Sequence, residues 1–88
     1  MVQVTMYTTA SCPYCVYAER LLTRKGVTDV LKVRVDLEPE RRMEMMRKTG
    51  RRTVQQIYIG ERHVGGFDDL AALDHAGELD PLLAVPAG

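Results

Sequence analysis

Cys12 and Cys15 are the only thiols in the chain, three residues apart in Cys12-Pro13-Tyr14-Cys15. A thiol attacks a disulfide only as its thiolate, so a site built on this pair has to lower one cysteine pKa from about 8.5 toward neutrality. A helix start does this, because its unpaired backbone N–H groups and positive dipole end favour an anion. Pro13 suits the first turn of such a helix, where its missing N–H is not needed. Cys12 is therefore expected at the helix start as the attacking thiolate, and Cys15 one turn further in as the less exposed resolving partner. Tyr14 between them offers a ring against which a peptide-like substrate packs, or is simply an exposed aromatic. Two cysteines at this spacing are also half of a zinc site, but structural zinc takes four ligands and the only histidines, His63 and His75, are distant in sequence. No metal is expected, and both histidines are expected at the surface or in packing, with neither placed as a base at Cys12.

The elements that must hold this pair are legible in the patterning. Val2, Val4 and Met6 alternate with Gln3, Thr5 and Tyr7, which describes a first strand, and Thr8-Thr9-Ala10-Ser11 describes a loop. Val16, Ala18, Leu21 and Leu22 form the apolar face of a helix that stops at Gly26. Leu31, Val33 and Val35 alternate with Lys32 and Arg34 in a second strand from Val30 to Asp36. A second helix runs from about Glu38 to Thr49, with Met43 and Met46 as core filling and Gly50 as its break. Val54, Ile57, Tyr58 and Ile59, then Gly60-Glu61, then Val64 read as an antiparallel hairpin with a tight turn. Asp68 or Asp69 caps a last helix carrying Leu70, Leu73 and Ala76, and Gly77 to Leu83 forms an appendage that docks through Leu79, Leu82 and Leu83. The order is βαβαββα, an α/β chain with a mixed four-stranded sheet and helices on both faces.

The 88 residues suffice for a single domain, 1–88, with one modest core. Twelve basic and twelve acidic side chains cancel, which gives no reason to propose nucleic acid as a partner. No apolar run approaches the roughly 20 residues needed to span a bilayer, so no membrane partner is expected. The N-terminus does not have the pattern of an export signal. With two thiols and no such signal, the pair is expected to be redox-active in the cytoplasm.

Taken together, Tyr7-Thr8, Cys12-Pro13-Tyr14-Cys15, Gly50-Arg51, Thr53-Val54, Gln56-Ile57, Gly65-Gly66-x-Asp68-Asp69 and Leu79-Asp80-Pro81-Leu82-Leu83 resemble the glutaredoxins of the thioredoxin-like superfamily, in their short bacterial dithiol form. The resemblance implies a glutathione-dependent thiol–disulfide oxidoreductase that reduces protein disulfides and glutathione mixed disulfides. Glutathione is then the co-substrate and no cofactor is bound. Partners are disulfide-bearing or glutathionylated proteins, and the chain is a monomer. Carried over by position, Val54 pairs through its backbone with the cysteine of glutathione. Asp68, then Asp69, receives the γ-glutamyl end, with Gly66 and Phe67 supplying backbone; helix capping is the alternative for both aspartates.

Two positions depart from the family pattern. Thr9 stands where most glutaredoxins place a lysine that meets a glutathione carboxylate. Arg52, or less directly Arg51, is the expected replacement, unless both are solvated loop charges. Gln55 stands where the family carries a cis proline. A cis bond before a non-proline residue costs about 2.5 to 4 kcal/mol, against about 0.5 to 1 before proline. Val54-Gln55 is therefore expected to be trans, or strained if cis, with the loop shifted and glutathione less firmly positioned. Loss of that proline also opens two other readings: a glutathione- or iron–sulfur-cluster-binding form with impaired redox activity, and a folded but inactive domain.

Overall fold

β1 (Val4–Thr8) is the strand on which the rest of the chain is assembled, with a neighbour on each side in a sheet of order β2-β1-β3-β4. The structure is a computed structural model, and residues 2–52 and 54–84 are described. Thr53 of the Thr53-Val54 pair lies outside the described residues, as does Met1. After β1 come α1 (Pro13–Arg24), β2 (Val30–Arg34), α2 (Pro39–Thr49), β3 (Gln56–Ile59), β4 (Arg62–Gly65), α3 (Phe67–His75) and α4 (Leu79–Leu83). β1 runs parallel to β2 and antiparallel to β3, and β3 and β4 form the hairpin, so the sheet is mixed as the pattern predicts. The expected appendage after α3 is itself a short helix, and Leu79 and Leu83 are buried in the main core with Leu82 packed against it.

Successive β1 side chains point to opposite faces of the sheet, and both faces are covered. Val4 and Met6 face a core shared with Ala18, Leu21 and Leu22 of α1, Leu70 of α3 and the α4 leucines. Tyr7 faces the other way, onto Val35 and Met45. Three corrections to the expected burial follow from helix and sheet geometry. In α1 the buried residues are Cys15, Ala18, Leu21 and Leu22, while Val16, about 100° around the helix from Cys15, is exposed. In α2 the fully buried methionine is Met45; Met43, about 200° away, faces outward and Met46 packs at the margin. Leu31 is exposed on β2, which is an edge strand of the sheet. Among the described residues, no helix is long and apolar enough to cross a membrane.

Candidate active site

Two loops end side by side at the C-terminal end of β1. The first leads from β1 into α1. Val35 N–H donates to Thr8 O at 3.0 Å, and two residues further on Ala10 N–H donates to the Asp36 carboxylate at 3.2 Å. Arg34 grips that carboxylate with Nε and Nη2, at 2.8 and 2.7 Å. This fork of charged hydrogen bonds, aided by the Ala10 N–H, holds the Asp36 carboxyl well below the usual carboxylate range. The loop is thus tied where it leaves β1 to the two residues that follow β2, and it delivers Cys12 to the N-cap of α1 with Pro13 in the first turn.

Cys12 has extended backbone angles, φ −136° and ψ 96°, as an N-cap requires. Its Sγ accepts the Cys15 N–H at 3.3 Å, the bond a serine or aspartate would accept in the same position. Cys12 and Cys15 form a disulfide with their Cα atoms 5.3 Å apart, within the usual range for such a bridge. Cys15 is only 5% exposed and belongs to the core, whereas Cys12 is half-buried at its margin. An incoming disulfide therefore meets Cys12 before Cys15.

The second loop, residues 51–55 between α2 and β3, is built on different terms. No peptide bond among the described residues is cis, so Val54-Gln55 is trans, as the cost of a cis bond before glutamine predicts. Gln55 then takes φ 71°, and it is the one non-glycine residue with positive φ among those described. Its N–H donates to Tyr7 O at 2.9 Å, which ties this loop to β1 as well. Its side chain is 8% exposed and its Nε2 has no hydrogen-bond partner. Gln56 next to it is buried, with Oε1 2.7 Å from His63 Nε2. His63 also lies against the Tyr58 ring. Burial, with the nearby Arg51 charge, holds the His63 pKa below its ordinary value. His75 is exposed.

Between the first turn of α1, the 51–55 loop and the start of α3 lies a groove of about 350 Å³, and neither Cys12 nor Cys15 is among its lining residues. Of the residues singled out from the sequence, it is lined by Tyr14, Val54, Gly66, Phe67, Asp68 and Asp69. Arg51 lines it and Arg52 does not: Arg52 is exposed, and its carbonyl accepts a hydrogen bond from Arg42. Arg51 reaches Asp69 at 3.6 Å. No sequence signal separates two adjacent arginines, because which one turns inward depends on where α3 brings its carboxylates.

α3 begins with Gly66 at the N-cap, so Asp68 and Asp69 fall inside the first turn and neither is the cap. Asp69 nonetheless reaches back to the Gly66 N–H at 3.0 Å, half of a capping box. The preceding Gly65 has φ 115°, and a Cβ there would stand 2.8 Å from Asp69 Cγ, so only glycine lets the carboxylate approach. Asp68 is exposed and carries no hydrogen bond or ion pair among the described residues. The groove thus offers a free carboxylate, a cation and a helix N-terminus together. Among the described residues no three His, Cys, Asp or Glu side chains gather into a metal-sized cluster.

Comparison with known proteins agrees with this geometry. A family model described as glutaredoxin matches residues 4–64. The chain belongs to the glutaredoxin family. It is 57% identical over 85 residues to a glutaredoxin of Pseudomonas aeruginosa, covering 97% of this chain and 100% of that one. Glutaredoxin 3 of Escherichia coli is 48% identical over 83 residues, covering 94% and 99%. Among solved structures, glutaredoxin from Brucella melitensis superposes with a TM-score of 0.79 at 48% identity, covering 94% of this chain and 89% of that one. A buckwheat glutaredoxin–glutathione complex gives 0.84 at 26%, covering 93% and 76%. The fold is therefore thioredoxin-like, and glutaredoxins are thiol oxidoreductases. In a glutaredoxin the features sequence reasoning does not reach are the inward turn of Arg51 and the unpaired Gln55 amide, since both are set by contacts between distant segments.

Proposed function

We propose that this chain is a glutathione-dependent thiol–disulfide oxidoreductase, a cytoplasmic monomer that reduces glutathionylated and disulfide-bearing proteins. The observation that carries the proposal is the unequal placement of the two sulfurs, with Cys12 half-buried at the helix cap, two residues before the groove-lining Tyr14, and Cys15 buried in the core. Asp68 suits the ammonium of a γ-glutamyl group, the N-terminus of α3 and Arg51 suit the two carboxylates of glutathione, and Val54 lines the same groove. The assignment of the cation moves from Arg52 to Arg51 on these grounds.

On a glutathionylated protein, the Cys12 thiolate attacks the glutathione sulfur. The Cys12–glutathione bond forms while the protein sulfur leaves as a thiolate. A second glutathione thiolate then attacks the bound glutathione sulfur, releasing glutathione disulfide and the Cys12 thiolate. On a protein disulfide, Cys12 first bonds to the client and the Cys15 thiolate attacks the Cys12 sulfur. The client leaves reduced, and the Cys12–Cys15 bridge is left for two glutathiones to open.

The test is turnover of a glutathione mixed disulfide in an assay that follows glutathione disulfide formation. Cys12→Ser is expected to reduce turnover to background, while Cys15→Ser keeps a measurable part. Equal loss in both variants overturns the assignment of roles.

A further inference from the structure

Phe67 lines a second groove besides the one at the 51–55 loop. This groove is open, has a volume of about 680 Å³, and runs along the outer face of α1. Its floor is Val16, Tyr17 and Phe67, with the Tyr17 and Phe67 rings 5.9 Å apart, and Tyr14 continues the aromatic row toward Cys12 with its ring 6.2 Å from Tyr17. Val16 and Tyr17 are each 47% exposed, an unusual outlay of apolar surface on a small domain. The rim is charged. Arg20 and Arg24 are exposed and have no ion-pair partner among the described residues, whereas the one carboxylate on the lining, Glu19, is held by Lys32. The groove is thus an apolar trough with two free guanidinium groups, which pair readily with carboxylates.

We propose that this groove receives the protein side of the substrate: an extended client segment carrying an apolar residue followed by acidic ones. The inference rests on the oxidoreductase reading, since it needs a client whose sulfur is at Cys12. Because α1 carries both the cap cysteine and the arginines, their spacing is fixed. At about 1.5 Å per residue along a helix, Arg20 and Arg24 lie roughly 12 and 18 Å from Cys12. An extended peptide at about 3.3 Å per residue covers those distances in roughly four and roughly six residues. Clients favoured by this groove therefore carry Asp or Glu about four and six positions from the reacting cysteine, two apart so that both point to one side, with the apolar residue nearer the cysteine.

Three substrates test this with the full chain at low ionic strength. One is the small mixed disulfide of glutathione and 2-mercaptoethanol. The others are glutathionylated peptides with a leucine near the cysteine and either two glutamates or two glutamines at those positions, made in both chain directions. The wild-type chain is expected to show a KM about tenfold lower for the better glutamate peptide than for its glutamine counterpart. Arg20→Glu/Arg24→Glu is expected to erase that difference and leave the small substrate unchanged. A glutamate preference that is absent from the wild-type chain, or that survives in the double variant, overturns the inference while leaving the oxidoreductase reading intact. Failure of the wild-type chain to turn over the small substrate overturns both.

Discussion

The two loops that meet at the end of β1 are held in opposite ways. The loop into α1 is favoured locally at each step: Cys12 takes the extended angles of a cap, Pro13 occupies the turn that tolerates it, and Asp36 clamps the Ala10 N–H. The 51–55 loop is held against local preference. Gln55 sits in the left-handed region, which costs a non-glycine residue roughly 1 to 2 kcal/mol. It also buries an amide donor with no partner, a cost of about 1 to 3 kcal/mol. The hydrogen bond from its N–H to Tyr7 O and the packing of Gln56 onto the sheet hold it there. The loop that performs the proposed chemistry is relaxed, and the loop proposed to position the substrate carries the strain.

The sharpest check on the relaxed loop is the Cys12 titration. In the reduced chain the Cys12 thiol is expected to ionise more than one unit below the 8.5 or so of free cysteine. The pH dependence of its alkylation rate measures this, and an ordinary value would remove the basis for the proposed mechanism. The next largest effect concerns Gly65, whose missing Cβ makes room for Asp69 beside the strained loop. Gly65→Ala is expected to cost about 2 kcal/mol in chemical denaturation, from positive φ and the displaced carboxylate together.

A smaller effect isolates the strain at Gln55. Gln55→Gly and Gln55→Ala both delete the unpaired amide, so they differ mainly in backbone preference. The glycine variant is expected to be the more stable by about 1 kcal/mol, the reverse of their order inside a helix. Equal stability would show that residue 55 is not left-handed.

The least effects separate the loops by pH. The Asp36 pKa is depressed in the folded chain, so its stabilisation is fully present above the unfolded value of about 3.9 and is lost as pH falls through the lower folded value. The His63 pKa is also depressed, so the folded chain favours the neutral ring. That contribution is present above about 6.5 and is lost as pH falls toward the folded value. Denaturation midpoints are expected to decline first near pH 6, a decline that His63→Gln removes, and again below pH 4, where Asp36→Asn flattens the curve.

Much of this was readable from residue order alone. The β1 alternation, the Pro13 helix start, the hairpin around Gly60-Glu61 and the trans Val54-Gln55 bond each follow from short-range rules of backbone and period. Burial was less legible. Nothing local distinguishes Met43 from Met45 or marks Val16 as outward-facing, because the choice depends on which side of a helix the sheet covers. The residues of the short α4 helix show only an appendage in their pattern for the same reason: α4 is fixed by Leu79 and Leu83 entering a core made by distant residues.

What the amino-acid order determined by itself is the reactive pair and its placement at a helix start, since a cap needs only the few residues around it. What the tertiary structure decided is which charges meet the groove: Arg51 over Arg52, Asp69 turned back onto Gly66, Asp68 left free. Those choices depend on how closely α3 approaches the 51–55 loop. That approach is set by packing between segments far apart in the chain, which no local rule encodes.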